Sequence, residues 1–505
     1  MILSKHNLPS INGERIDLPQ QDIFSLPEKV LQFGTGVFIR SFADYFIDKA
    51  NKKGVFNGRV VVIKSTSNGD SREFDTQDSL YTVCSKGLEN GKIKEEISIN
   101  ASISRVLVAG SQWNDILRCA HNPEMKIIIS NTTEVGIQLV KEKIGTEAPS
   151  SFPGKLLAFL LERYHAFDGS AAHGMVVVPA ELIPDNGTKL KQIILELARF
   201  NEVEEKVMVW LEEHNRFCNS LVDRIVPGKP AQPELQKIQD ALGYTDGLLS
   251  VSELFSLWAI EGDEAIKAIL SFAQINNGVV IENNIDTYRE LKLRLLNGTH
   301  TFNCGLAFLA GFNFTRDAML DKQYGAFAAN MMQEEIAAAI PLDIDKEVKS
   351  NYAHQVIERF CNPYIDHQWI SITAQFTSKM KMRNLPLLKR YVELHGKSPE
   401  RMTAGFAAYL LFMKPVRVEN GRYFGKVNEM EYPINDDAAA WFHDCWQQHD
   451  VPGVVNAVLA NVELWGMDLR ELNGFADAVL KNLHQMMASG VMQVVNAIEN
   501  KEMVF

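Results

Sequence analysis

Cysteine is scarce in this chain, with six in 505 residues, at positions 84, 119, 218, 304, 361 and 445. None sits in a C-x-x-C pair, which excludes a disulfide framework and implies free thiols in a reducing compartment. The twelve histidines include no H-E-x-x-H or similar pairing, so no metal is assigned; only a site assembled from distant residues stays open. No apolar run reaches the roughly 20 residues that a membrane span needs, and residues 1–19 hold no apolar run of signal-peptide length. The longest apolar stretch, 406–413, falls well short. A cytoplasmic chain without a membrane partner is expected. Positive charge is in deficit too: 51 Lys and Arg against 63 Asp and Glu give a formal net charge of -12. That balance offers nucleic acid no general attraction, and a small-molecule partner is the better expectation.

What is present is an ordinary globular composition, 46% hydrophobic and 23% charged, in a chain long enough for two or three cores. The first half alternates β-branched runs at 29–33, 59–64, 104–109, 126–130 and 174–179 with helical patterns. Such alternation implies parallel strands joined by crossover helices. The runs at 60–64, 126–130 and 175–179 are nearly continuous apolar segments, as in strands covered on both faces, so a doubly wound α/β sheet is expected. From about 285 the texture becomes helical, with 3.6-type spacing over 285–311, 322–339, 399–413 and 468–501. We place the boundary near 275, giving domains 1–275 and 276–505.

The first strand runs into Phe33-Gly34-Thr35-Gly36-Val37-Phe38-Ile39-Arg40 and then an amphipathic helix to about Lys52. Two glycines allow a tight turn and close approach to a pyrophosphate at a helix start. The third glycine of the dinucleotide fingerprint is missing, since Ile39 occupies its place. So is the acid expected about 20 residues on, because the second strand ends in Lys64-Ser65-Thr66. Lys64 either meets a 2′-phosphate, favouring NADP, or is a solvated strand end.

A second constellation lies at 288–300. At roughly 100° per residue Lys292, Asn297 and His300 share one helical arc of about 140°, while Leu291, Leu295 and Leu296 serve the packing face. Carbonyl reduction needs a proton donor, and a lysine lowered by burial from its usual value of about 10.4 fills that role. Asn297 and His300 can orient it and hydrogen-bond the developing alkoxide. The plainer reading is a surface helix with a solvated lysine.

Gly34-x-Gly36-x-Phe38-x-Arg40 together with Lys292-x4-Asn297-x2-His300 resembles the paired signature of the polyol-specific long-chain dehydrogenases, the mannitol dehydrogenase family. Further stretches fit in the same order: Gln77 to Thr82, Thr133-Glu134-Val135-Gly136, Asn219 to Pro227, Trp258 to Glu261, Arg359 to Pro363, and Ser378-Lys379. The resemblance covers roughly 28–415. It implies an α/β Rossmann-type N-terminal domain and a mainly α-helical C-terminal domain, with the active site in the cleft between them. It implies NAD as cofactor, contacted at Phe33, Gly34, Thr35, Gly36, Val37, Phe38, Ile39, Arg40 and Asn131. It makes Lys292 the general acid/base, with Asn297 and His300 beside it, and places Asp223, Lys379 and Glu181 at the substrate. On residue grounds alone Asp223 could instead be an ion-pair partner of Arg224, and Lys379 a solvated charge.

Two departures narrow the branch. Leu182 stands where the family's mannitol dehydrogenases carry the asparagine of C-D-N-L, and Ser371 where they carry an arginine. These, with Glu181-Leu182-Ile183-x-x-Asn186-Gly187, the segment 130–136, and Asn362-Pro363 followed by His367 and Trp369, resemble the branch that interconverts D-tagaturonate and D-altronate with NAD(H). A sugar-acid substrate is thereby implied, with Lys379 and Arg383 as the nearest candidate cations for its carboxylate. Fructuronate reduction and mannitol-type polyol oxidation are the alternatives. A scaffold that binds NAD without activity is the third, which the intact Lys292, Asn297 and His300 oppose.

Overall fold

Short runs of branched aliphatic residues decide the N-terminal architecture. In the computed structural model, which describes residues 1–65, 71–132 and 136–502, they become β1 (Glu28–Phe33), β2 (Arg59–Lys64), β3 (Ile103–Val108), β4 (Ile127–Ser130), β5 (Val176–Pro179) and β6 (Arg216–Phe217). Thr66 and Thr133-Glu134-Val135 lie outside the described residues. The six strands form one sheet in the order β3-β2-β1-β4-β5-β6, parallel at every pairing. All residues of β2, β4 and β5 are buried, which explains why these strands read as continuous apolar runs instead of alternating ones.

The period of two still shows in where each side chain goes. Leu31, Phe33, Val61, Ile63, Ile128 and Val177 join a core with residues of the helices Phe152–Ala166, Asn186–Phe200 and Glu205–Glu213. Val30, Val60, Val62, Ile127, Ile129, Val176 and Val178 join a second core with the helix Ala43–Lys52 and Trp258. Alternate residues thus bury on opposite faces, and neither face can be exposed without losing a core. Smaller three-stranded sheets flank this layer, one holding the hairpin Tyr81–Glu89 and Lys92–Asn100, the other Ser220–Asp223 with Leu257–Glu261 and Val279–Glu282.

Residues Met1–Gly87 with Ile93–Ile285 make one compact unit, and Leu88–Lys92 with Asp286–Phe505 the other. The second unit is mainly helical. Its helix Thr299–Leu309 is buried from Thr299 through Phe308 and packs on Glu400–Phe412 and Trp369–Ile372. Gly405 permits that approach, since an added Cβ would lie 2.8 Å from the Phe302 carbonyl oxygen. Among the described residues three stretches of this unit take the wider π-helical turn: Lys292–Gly298, Met331–Ile336 and Met380–Asn384. The first packs against each of the other two. One departure from the helical expectation is an antiparallel meander of Arg417–Glu419, Arg422–Val427 and Met430–Ile434. Among the described residues no helix is long and apolar enough to cross a membrane.

Candidate active site

In the N-terminal unit the chain order reverses across β1 and β4, and open α/β sheets take ligands beyond the carboxyl ends of the strands at such a point. Gly34 follows β1 with φ 123°, and a Cβ there would meet the Asn131 carbonyl oxygen at 2.6 Å. Only glycine fits that position. Gly36 is different: it is exposed, and an added Cβ would find nothing within 4 Å. Backbone therefore lies open at Gly36, which suits close approach by a pyrophosphate. The amphipathic helix expected to run on from there is broken instead. Val37–Arg40 forms one helical turn, Phe42 leaves the helical region (φ -128°, ψ -87°), and Ala43–Lys52 follows.

Most of the turn is fastened from beneath. Arg40 is buried, donating from Nη1 to the Leu248 carbonyl (2.7 Å) and from Nε to that of Thr35 (3.3 Å), while Tyr81 Oη donates to the Arg40 carbonyl (3.0 Å). Its guanidinium thus shapes the turn. Phe33 and Ile39 are fully buried, and Phe38 stacks on Phe42; Thr35 and Val37 stay partly exposed. Gln32, on β1, donates from Nε2 to the Gly34 carbonyl and to Asp44 Oδ2, both at 3.2 Å. Burial pushes Asp44 up to about 7, against the pull of Gln32 and Arg40. Lys64 closes β2 as a buried residue.

At the end of β4, Asn131 N–H donates to the Phe33 carbonyl and its side chain to that of Ala180 (3.1 Å). Glu181 is buried, its Oε2 accepting from Ser130 Oγ (3.0 Å) and Oε1 from Thr132 N and Oγ1 (both 2.9 Å). Burial raises its carboxyl. Both oxygens are engaged in holding the loop that leaves β4, so Glu181 positions that loop. Asn186 is likewise internal, donating to the carbonyls of Pro179, Glu181 and Ser220. Leu182 is 63% exposed. Asp223 is buried at the end of Ser220–Asp223. The ion pair with Arg224 is not formed: that guanidinium donates to the Glu253 carbonyl, the Ser41 carbonyl and Ser85 Oγ.

In the C-terminal unit Lys292 opens the π turn and Asn297 lies near its end. With hydrogen bonds running i to i+5 the turn holds more residues than an α-helical one, so Lys292 and Asn297 are closer in direction than the α-helical angle gives. Leu291, Leu295 and Leu296 are buried, as the packing face requires, and Lys292 and Asn297 are half-buried. His300 does not share a solvent-facing arc. It is 7% exposed, stacked on Phe360 (ring centroids 4.1 Å apart) with His367 and Trp369 edge-on at 5.1 and 6.0 Å. Burial, then the charge of His367, Arg359, Arg383 and Lys379, holds His300 well below the ordinary histidine range. It is neutral at physiological pH. Its Nε2 has no hydrogen-bond partner among the described residues, and the Asn297 side-chain amide has none either. For the buried His300 Nε2 a missing partner is costly, and a bound ligand relieves that cost.

Lys379 donates from Nζ to the Ile372 carbonyl (2.8 Å), and burial together with nearby Arg383 lowers it. Ser371 is exposed, its hydroxyl donating to the Gln368 carbonyl. Among the described residues no three His, Cys, Asp or Glu side chains gather as a metal set.

Three residues of this framework escaped the sequence reading. Arg294 is buried and joins two π turns: it pairs with Glu290 (2.9 Å) and donates from Nη1 to the carbonyls of Met382 (3.1 Å) and Arg383 (2.6 Å). The signal was an arginine set among Leu291, Leu295 and Leu296. Thr301 donates to the Asn297 carbonyl (2.8 Å), and Gln32 was a lone polar residue in an apolar strand.

The family model described as the mannitol dehydrogenase Rossmann domain matches residues 28–272, and that of the mannitol dehydrogenase C-terminal domain matches 284–487. Altronate oxidoreductase of Bacillus subtilis strain 168 is 38% identical over 91% of this chain and 93% of its own length. The enzymes of that name from Halalkalibacterium halodurans and Escherichia coli K12 are 35% and 34% identical over 94% of the chain, covering 94% and 97% of their own lengths. Among solved structures, mannitol 2-dehydrogenase of Pseudomonas fluorescens in complex with NAD and D-mannitol aligns over 99% of this chain and all of its own (TM-score 0.68, 22% identity). A D-sorbitol dehydrogenase aligns over 98% and all of its own (TM-score 0.79, 21% identity). The fold, the two matched domains and relatives of this coverage agree: the chain belongs to the mannitol dehydrogenase family, as an oxidoreductase acting on CH–OH groups.

Proposed function

We propose that this chain interconverts D-tagaturonate and D-altronate with NAD(H), Lys292 being the proton-transfer residue. The observation that carries the reading is a pair of polar groups with no protein partner among the described residues, the Asn297 amide in the Lys292 turn and His300 Nε2 in the helix that follows it. Its support in substrate class is the set of relatives named altronate oxidoreductase, matched over nearly their whole length. The open backbone at Gly36 fits a dinucleotide pyrophosphate, with Arg40 and Gln32 holding the turn in shape.

When bound, the nicotinamide supplies the hydride in reduction and accepts it in oxidation. Lys292, as an ammonium, gives a proton to the substrate oxygen that becomes the C–OH, and in the reverse direction its neutral amine takes that proton back. His300 is uncharged, so it is no proton source at neutral pH; its Nε2 and the Asn297 amide hydrogen-bond the reacting oxygen. Initial rates of NADH oxidation with D-tagaturonate, D-fructuronate, D-tagatose and D-fructose test the reading. D-tagaturonate is expected to give the highest kcat/KM, with NADH preferred over NADPH at equal low concentration. Faster turnover of a neutral ketose than of either uronate would overturn it.

A further inference from the structure

We infer that Arg383 binds the carboxylate of the substrate and that Thr301 positions it, an assignment that rests on the proposed hexuronate reading. Arg383 belongs to the π turn Met380–Asn384 that packs on the Lys292 turn. Its Nη1 donates to Thr301 Oγ1 (3.2 Å), and among the described residues no carboxylate stands within ion-pair distance of its guanidinium. The group is half-buried. A partly desolvated guanidinium with most of its N–H donors unengaged and no counter-charge is unfavourable alone. It becomes favourable when an anion with two acceptor oxygens arrives.

The geometry around Arg383 is fixed from several sides. The hydroxyl proton of Thr301 goes to the Asn297 carbonyl, so its lone pairs are left to receive Arg383. The backbone of the arginine is held by Arg294, which donates to the carbonyls of Met382 and Arg383, and Asn384 Nδ2 donates to the Gly298 carbonyl at 3.3 Å. The cation is therefore tied to the turn bearing Lys292 and Asn297 and to the helix bearing His300. Lys379 is the lesser candidate, because its ammonium already donates to the Ile372 carbonyl and presents a point charge without the planar fork that matches a carboxylate. Ser371 has its hydroxyl engaged by Gln368 and carries no charge.

The test is the ratio of kcat/KM for D-tagaturonate to that for D-tagatose, which differs at the terminal carboxylate. Arg383→Gln is expected to lower this ratio roughly 10- to 100-fold, mainly through KM for the uronate. Arg383→Lys should fall between. Thr301→Val should lower the ratio several-fold while Thr301→Ser restores it, a rescue that loss of packing would not produce. D-gluconate, as a competitive inhibitor against D-tagaturonate, should lose affinity in Arg383→Gln with NADH binding unchanged; this reads the same contact without turnover. An unchanged ratio with unchanged gluconate inhibition, in a wild-type enzyme that prefers uronates, sinks the assignment and leaves the proposed function standing. A wild-type enzyme that prefers D-tagatose sinks both.

Discussion

At the turn over 34–40 the backbone carbonyls are met by protein, with Arg40 on those of Thr35 and Leu248, Tyr81 on that of Arg40 and Gln32 on that of Gly34, while Gln32 Oε1 and Asp44 Oδ1 beneath them have no partner among the described residues. At 292–300 the Asn297 amide and His300 Nε2 meet nothing among the described residues. The contrast follows from what each turn handles. A pyrophosphate is recognised largely by backbone N–H groups, so side chains are best used to stiffen the loop. A reacting oxygen changes charge during the reaction, and donors aimed at it have to stay available in the free enzyme. The carbonyls fastened at the glycine turn suit a mould for a constant ligand, and the open Asn297 amide and His300 Nε2 suit a place where charge develops.

The largest effect that would break this contrast is loss of the proton donor. Lys292→Ala is expected to lower kcat by about 10³ or more, since positioned acid/base groups contribute roughly 10²- to 10⁴-fold. NADH affinity, measured by fluorescence titration, should stay within about twofold, because the N-terminal turn is untouched. Substantial retained turnover would remove Lys292 from the chemistry. The pH profile of kcat should lose one ionisation in the variant, and none in the wild type should trace to His300 near neutrality, since burial and cationic neighbours keep it uncharged.

A middle-sized effect separates the two glycines. Gly34→Ala puts a Cβ against the Asn131 carbonyl oxygen and forces a left-handed φ on alanine, at a cost of about 1–3 kcal/mol. The melting temperature should drop and KM for NADH rise together. Gly36→Ala meets no protein atom within 4 Å, so its melting temperature should match wild type while KM for NADH rises roughly tenfold from contact with the cofactor. If Gly36→Ala leaves KM for NADH unchanged, the open backbone there is not where the pyrophosphate lies.

How much of this was legible in sequence differs between the same two regions. The strands β2, β4 and β5 could be read because fully buried parallel strands leave an unbroken mark, β1 and β3 from their short aliphatic runs, and the glycine turn because φ 123° at Gly34 admits one residue type. The hairpin over 81–100 and the meander over 417–434 were not read: Lys92–Asn100 and the meander are partly exposed strands of mixed composition, and Tyr81–Glu89, though mostly buried, interleaves Thr82, Ser85 and Lys86 with its apolar residues. The Lys292 turn was visible as a spacing, but its π geometry was not. A shift of hydrogen bonding by one residue is decided by packing against neighbouring turns, here through Arg294 to Met382 and Arg383. The aromatic walls of His300 were on view as His367 and Trp369 without any sign of what they enclose.

The smallest expected effect concerns one buried carboxyl in each unit. Asp44, under the glycine turn, and Glu335, which accepts the N–H groups of Arg401 and Met402 in the C-terminal unit, are both pushed up to about 7, chiefly by burial. In an unfolded chain such groups release their protons near 4. Between roughly pH 4 and 7 the folded protein therefore binds more protons than the unfolded chain. The associated stability is present in full below about pH 4 and lost as pH rises through 7. Asp44→Asn and Glu335→Gln cannot ionise, so each should reduce the fall in melting temperature between pH 5 and pH 8, by on the order of a few degrees. Their effects on function should part. Gln32 bridges Asp44 to the Gly34 carbonyl, so Asp44→Asn should flatten the pH dependence of KM for NADH over that range, and Glu335→Gln should leave it alone. Equal behaviour of the two variants in KM would show that Asp44 acts on stability only, and that the stiffness of the glycine turn does not depend on its charge.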